Sequence, residues 1–224
     1  MRQSTSGIFW ASLSLLLLFA GLRATKAATL LIGSTPNAPI PDNSTVGVAS
    51  SQNVVTDITE ITDVSVRLNI SGGFNGDYYA YLTHGSGFAV LLNRVGRTTG
   101  NDFGYADAGV DVNFASGANS GDVHIYQLTL NPNGGPLTGT WAPDARNVNP
   151  MASLDTSPRT AFLSSFNGLD ANGDWTLYVA DRSTVGLGTL VSWSAQITGI
   201  PEPTSCLLLA LAPLTLLRRK RRGS

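Results

Sequence analysis

An all-β sandwich is the fold class this sequence predicts, and three observations predict it. Between Ala28 and Ile200 no stretch sustains a helical period of apolar residues. Short β-rich runs alternate there with clusters of Gly, Asn, Asp and Ser, the pattern of strands joined by turns. Of the 224 residues, 42% are hydrophobic and 13% charged, which supplies a core and leaves too little charge for a solvated disordered chain.

The elements follow in chain order. Ile61 to Ile70 is the clearest strand, with Val64, Val66, Leu68 and Ile70 on one face and Asp63, Ser65, Arg67 and Asn69 on the other. Asp77 to Thr83 and Phe88 to Leu92 read as a strand pair turning through His84-Gly85-Ser86-Gly87. Alternation puts Tyr79 and Tyr81 on one face of that pair and Tyr78 on the other. Val123 to Leu130 is a further strand candidate with an ambiguous inward face, and Asn131 to Pro136 is a loop. Trp175, Leu177 and Val179 alternate with Thr176, Tyr178 and Ala180 in another strand. Val191, Trp193, Ala195 and Ile197 make the core face of the last. Residues 93–121 and 142–162 lack clear strands, and loops of such length are usually functional or mobile. No repeat or second domain is visible, so 28–37 reads as a linker and 38–198 as one domain.

Both ends read as targeting segments. Arg2, the apolar stretch Ile8 to Leu22 and the small residues around Thr25-Lys26-Ala27 predict a signal helix over 1–27. Signal peptidase would cleave it between Ala27 and Ala28. Its apolar run of about 15 residues is shorter than the ~20 a membrane span requires. At the other end, 199–224 holds Pro201-Glu202-Pro203, an apolar run Cys206 to Leu217 that predicts a short helix, and the basic block Arg218, Arg219, Lys220, Arg221 and Arg222. That run covers about 18 Å as a helix, against a hydrocarbon core of ~30 Å. The basic block resists translocation and stays on the cytoplasmic side. This three-part tail resembles the PEP-CTERM sorting signal of Gram-negative bacteria. The resemblance implies recognition by an exosortase near Pro201-Glu202-Pro203, transient inner-membrane association, then transfer to the cell surface or extracellular matrix. The single cysteine, Cys206, lies in the tail, so an exported domain would contain none.

Several words of the middle segment resemble the P domain (P/Homo B) that accompanies subtilisin-like proprotein convertases. They are Ile40-Pro41-Asp42-Asn43, Ile61-Thr62-Asp63-Val64, Gly76-Asp77, Gly85-Ser86-Gly87, the run Phe166 to Leu177, Asp181, and Gly188 to Ser194. The resemblance covers roughly residues 38–198. It implies a galactose-binding-like jelly-roll sandwich of about eight strands, and a domain that supports a protease without itself being one. The chain departs from the pattern at Phe114-Ala115-Ser116, where the family carries an acidic stretch, and at 142–160, which looks like an insertion.

The chemistry available to the middle segment is limited. A Ser-His-Asp triad needs a base held by an acid and bonded to a nucleophile. Only His84 and His124 could serve, and neither neighbourhood resembles a protease motif. Paired carboxylates for glycoside hydrolysis are not marked by any spacing, so catalytic residues are not expected. Asp170, Asn172 and Asp174 place oxygen ligands at alternate positions, as calcium loops do. The competing reading is a tight Asn172-Gly173 turn opening a strand. Asp102, Asp107 and Asp111 form a second acidic loop. Tyr78, Tyr79, Tyr81 and Trp141 could offer flat faces to sugars, while Trp175 and Trp193 read as core.

Although the whole chain has a net charge of −1, residues 28–200 hold six Arg, no Lys and 14 acids, a net charge of −8. Such a charge disfavours nucleic-acid and anionic-lipid partners. The sequence therefore predicts an exported, non-catalytic P-domain-like module of the cell surface or exopolysaccharide matrix, acting as a structural or interaction protein with a polysaccharide or a surface protein as partner. The alternatives are a carbohydrate-binding module and an accessory of a separate subtilisin-like protease.

Overall fold

Alternating strands bury one face and solvate the other, and two such sheets stacked face to face satisfy both requirements. The computed structural model describes residues 26–118 and 121–202. The signal segment up to residue 25, Pro203, the apolar run Cys206 to Leu217, and Arg218, Arg219, Lys220, Arg221 and Arg222 lie outside the described residues. Ala27–Pro201 forms one compact unit.

Among the described residues ten strands make the fold: β1 (Ala28–Ser34), β2 (Ala38–Ile40), β3 (Val48–Val54), β4 (Ile58–Gly72), β5 (Tyr78–His84), β6 (Gly87–Asn93), β7 (Val110–Phe114), β8 (Leu137–Trp141), β9 (Gly173–Asp181) and β10 (Gly188–Pro201). One sheet has the order β1-β10-β4-β7-β8, with β2 also pairing β10, and the other has the order β3-β9-β5-β6. All pairs are antiparallel except β7 with β8. The expected all-β sandwich is the observed one.

Val64, Val66, Leu68 and Ile70 point into the core as expected, facing Trp175, Leu177 and Val179 across the sandwich. The β5–β6 hairpin turns at Gly85, whose φ of 55° is left-handed and costs a glycine nothing. The last strand differs in detail. A register shift between Leu190 and Ser192 bulges β10, so Leu190 takes the core position and Val191 is only half-buried, while Trp193, Ala195 and Ile197 remain inside.

Four sequence expectations are corrected. The 28–37 segment is no mere linker, because β1 pairs seven residues with β10, from Ala28 opposite Gly199 to Ser34 opposite Trp193. Val123 to Leu130 is not a strand. Val123–Leu128 is a pair of 3-10 turns joined by a kink at Ile125, started by the Asp122 side chain accepting a hydrogen bond from the His124 amide at 2.9 Å. Residues 93–121 do contain a strand, β7, which is only five residues long and flanked by Gly and Asp turns. Trp141 is not a surface ring. It is 2% exposed at the end of β8, and its indole nitrogen donates to the Thr138 carbonyl at 2.9 Å.

The outward faces of the two sheets differ. The first carries Ser65, Arg67, Asn69, Asp111, Asn113, Ser194 and Gln196, with Arg67 donating to both oxygens of Asp111 from across the β4–β7 pair. The second carries aromatic rings.

Candidate functional site

The second sheet's outer face begins with the alternation of β5, which sends Tyr78, Ala80 and Leu82 inward and Tyr79, Tyr81 and Thr83 outward. Register supplies the rest. Tyr81 sits opposite Tyr178 of β9, and Thr83 lies between Thr176 of β9 and Phe88 of β6. Four rings therefore meet in one ridge. Tyr81 stacks on Tyr178 with centroids 4.8 Å apart and planes 21° apart. Phe88 lies 5.2 Å from Tyr81, and Tyr79 lies 5.6 Å from Tyr81 and 6.4 Å from Tyr178. All four side chains are half-buried, by one another, on a face that otherwise meets solvent.

A polar strip borders the ridge. Ser51 and Thr176 share a hydrogen bond of 2.8 Å, and the Asn53 amide donates to Asp174 at 2.7 Å. The Tyr178 hydroxyl donates to the Thr45 carbonyl at 2.5 Å and fixes its ring along the sheet. Burial, followed by the neighbouring Tyr81 and Tyr178, pushes the Tyr79 phenol up to about 12, so it remains a neutral hydrogen-bond donor across the physiological range. Aromatic surface beside fixed hydroxyl, amide and carboxylate groups suits a ligand with C–H faces and a rim of hydroxyls.

A second feature lies where the strand ends meet. Phe74, Asp77, Phe103, Gly104, Tyr105, Ala106, Ser183 and Thr184 enclose a hollow of about 190 Å³. The Asp77 side chain is 5% exposed, with Arg94 Nη2 3.5 Å from its Oδ1. Burial, then the charge of Asp181, raises the Asp77 carboxyl to about 6, against an ordinary 3.8. Burial raises Asp181 as well, and its Oδ2 is buried with no hydrogen-bond partner among the described residues. Gly76 permits this crowding, because a Cβ there would strike the backbone of Phe103 and Tyr105.

The irregular segment 142–162 is held down by two arginines, Arg146 buried and Arg159 half-buried. Arg146 pairs with Asp122 at 2.9 Å and Asp144 at 3.3 Å and donates to the carbonyls of Leu154 and Asp155. Arg159 donates to the Pro143 and Asp144 carbonyls. His124 is fully buried here, Nδ1 2.8 Å from Asp144 Oδ2 and Nε2 3.1 Å from the Arg97 carbonyl oxygen. His84 is buried at the end of β5, stacked 4.1 Å over Trp175, with its ring nitrogens 3.1 Å from the Asp174 carbonyl oxygen and 2.6 Å from that of Asp170. Both imidazoles thus face structural acceptors at each nitrogen.

The three oxygen-bearing residues of the suggested calcium loop form an Asx turn. Asp170 Oδ1 accepts from the Asn172 amide at 2.8 Å and from its side chain at 2.6 Å, Asn172 Oδ1 accepts from the Thr56 amide at 2.7 Å, and Asp174 bonds Asn53. Those contacts anchor the β3–β4 turn to the start of β9. The second acidic loop is dispersed. Asp107 is buried and accepts from Tyr126, Gln127 and the Gly134 amide, Asp111 pairs with Arg67, and the Asp102 side chain is 82% exposed. Among the described residues no three His, Cys, Asp or Glu side chains gather as a metal-holding group. Of the processing residues, Ala27 directly precedes β1, Ala28 opens it, Pro201 ends β10 opposite Ile58, and Glu202 is exposed just beyond.

No protein-family model matches the chain. No curated protein matches it either. Among solved structures, it superposes on the complex of the Aeromonas sobria serine protease with its chaperone at a TM-score of 0.43 and 14% identity, over 78% of this chain and 27% of that one. The Aeromonas sobria serine protease solved by itself gives a TM-score of 0.42 and 16% identity over the same shares. The chain thus spans about a quarter of the length of the solved chains it matches.

Proposed function

We propose that this chain is an exported, non-catalytic module of the bacterial surface or exopolysaccharide matrix that holds glycan chains on the aromatic ridge of its second sheet. One observation carries the reading: Tyr79, Tyr81, Tyr178 and Phe88 converge on a solvent-facing sheet surface, beside Ser51, Asn53, Thr83 and Thr176. A sheet face that only met water would carry polar residues, as β4 and β7 of the opposite sheet do. Sugar rings stack C–H faces on aromatic surface and bond hydroxyls to such side chains, and an extended sheet face suits a chain better than a single ring. Export and surface sorting rest on the patterns at the two ends, with signal peptidase and an exosortase as processing partners.

Affinity electrophoresis of the protein through gels containing extracellular polysaccharide tests the binding. The expected result is retardation that Tyr81→Ala and Tyr178→Ala each reduce at least tenfold in apparent affinity. Unretarded migration in every polysaccharide, or retardation that both variants retain, would overturn it.

A further inference from the structure

We propose that the hollow at the strand ends is a second binding site, separate from the aromatic ridge, and that it takes a small organic ammonium group such as the protonated amine of an amino sugar. Three aromatic rings, Phe74, Phe103 and Tyr105, border a space of about 190 Å³ into which only one polar side chain with a formal charge, Asp77, contributes. Rings turned on a cation and a carboxylate behind them are the two elements that stabilise an ammonium ion in a partly dry site. Phe103 is 76% exposed and Phe74 38%, so both rings remain open to solvent.

The charged and polar groups packed against Asp77 come from four elements. Arg94 follows β6, Asp181 ends β9, Ser183 lies in the β9–β10 loop, and Asp42 lies after β2. Three carboxylates thus face the one guanidinium group of Arg94, and the surrounding domain carries a net charge of −8. One carboxylate oxygen of this group, Asp181 Oδ2, has no hydrogen-bond partner among the described residues. The space is smaller than a drug-sized pocket of ~300 Å³ or more and accepts one ring-sized body. Ser183 and Thr184 line it with hydroxyls that can meet those of a sugar.

The sugar body of the ligand rests on the glycan reading, whereas the ammonium group does not. Titration calorimetry of the full chain at pH 7.5 with glucosamine, N-acetylglucosamine, glucose and methylammonium separates the two. Glucosamine should bind at least tenfold more tightly than N-acetylglucosamine or glucose, which lack the charge, and methylammonium should compete with it. Asp77→Asn and Phe103→Ala should each weaken glucosamine at least tenfold. Phe103, being mostly exposed, reports on the site without endangering the fold. Affinity should fall as the pH drops through about 6, where Asp77 takes up its proton. Equal affinity for the charged and neutral sugars, or glucosamine binding unchanged in both variants, would overturn the proposal. Tyr81→Ala should leave glucosamine binding intact, so loss of polysaccharide binding on the ridge and loss of this site are read separately.

Discussion

Trp175 shows how single residues hold this molecule. Its ring lies between the His84 imidazole at 4.1 Å and Phe166 at 5.1 Å, and its indole nitrogen donates to the Ala171 carbonyl at 3.0 Å. Trp175→Ala removes a fully buried ring and should cost about 3–5 kcal/mol in urea unfolding, the range for large aromatic deletions. Gly73 is the complementary case. With φ at +61° and the Tyr78 phenol where a Cβ would stand, Gly73→Ala must displace the hydroxyl that donates to Gly72 at 2.7 Å. Asp77 gives a pH signature. Its folded value of about 6 exceeds its ordinary 3.8, so the folded state holds a proton that the unfolded state has lost between those values. Its contribution therefore favours folding below about 4 and is lost as the pH rises through about 6. Asp77→Asn should shrink the difference between the melting temperatures at pH 5 and pH 7.5 that scanning calorimetry measures. An unchanged difference would remove Asp77 as its source.

At the scale of elements, what the sequence disclosed was alternation, and what it withheld was register. The inward residues of β4 and β9 were legible because each strand repeats with period two over its length. β10 was legible beyond its bulge, which moves the core position from Val191 to Leu190 and has no marker in the residues themselves. Val123 to Leu130 misled because its β-branched and aromatic residues resemble a strand, while the Asp122 cap and its bond to the His124 amide decide for a helix. Half of the ridge was legible as well. Tyr79 and Tyr81 share a face by alternation, and Phe88 joins them across the adjacent hairpin, but Tyr178 joins only through strand pairing across about a hundred residues. The hollow was not legible at all, since Phe74, Phe103 and Ser183 come from three separate connections. β1 was missed for want of strong alternation. Its seven pairs with β10, and the packing of Leu30 and Ile32 against the core, predict that deleting residues 28–34 lowers stability by on the order of 2–4 kcal/mol in chemical unfolding.

For the whole molecule, the proposed function rests on how a cysteine-free, acidic domain presents two unlike sheet faces. The first sheet's outer face is polar apart from Leu31 at its edge, including an Arg67–Asp111 pair at 3.0 Å, and the second carries a contiguous ridge of rings. Arginines inside the 142–162 segment pin it internally, and its backbone bonds to β6 at the edge of the second sheet. In the proposed sorting scheme, removing residues 201–224 abolishes surface display, which protease shaving of intact cells measures. Display unaltered by that deletion would contradict the scheme. The central claim concerns the ridge, and NMR titration of the full chain with oligosaccharides cut from extracellular polysaccharide addresses it most directly. Saturable shifts should map to Tyr79, Tyr81, Phe88, Thr176 and Tyr178 and leave Arg67, Asn69 and Gln196 of the opposite face unmoved. Shifts centred on the opposite face, or none at any saturating concentration, would contradict it.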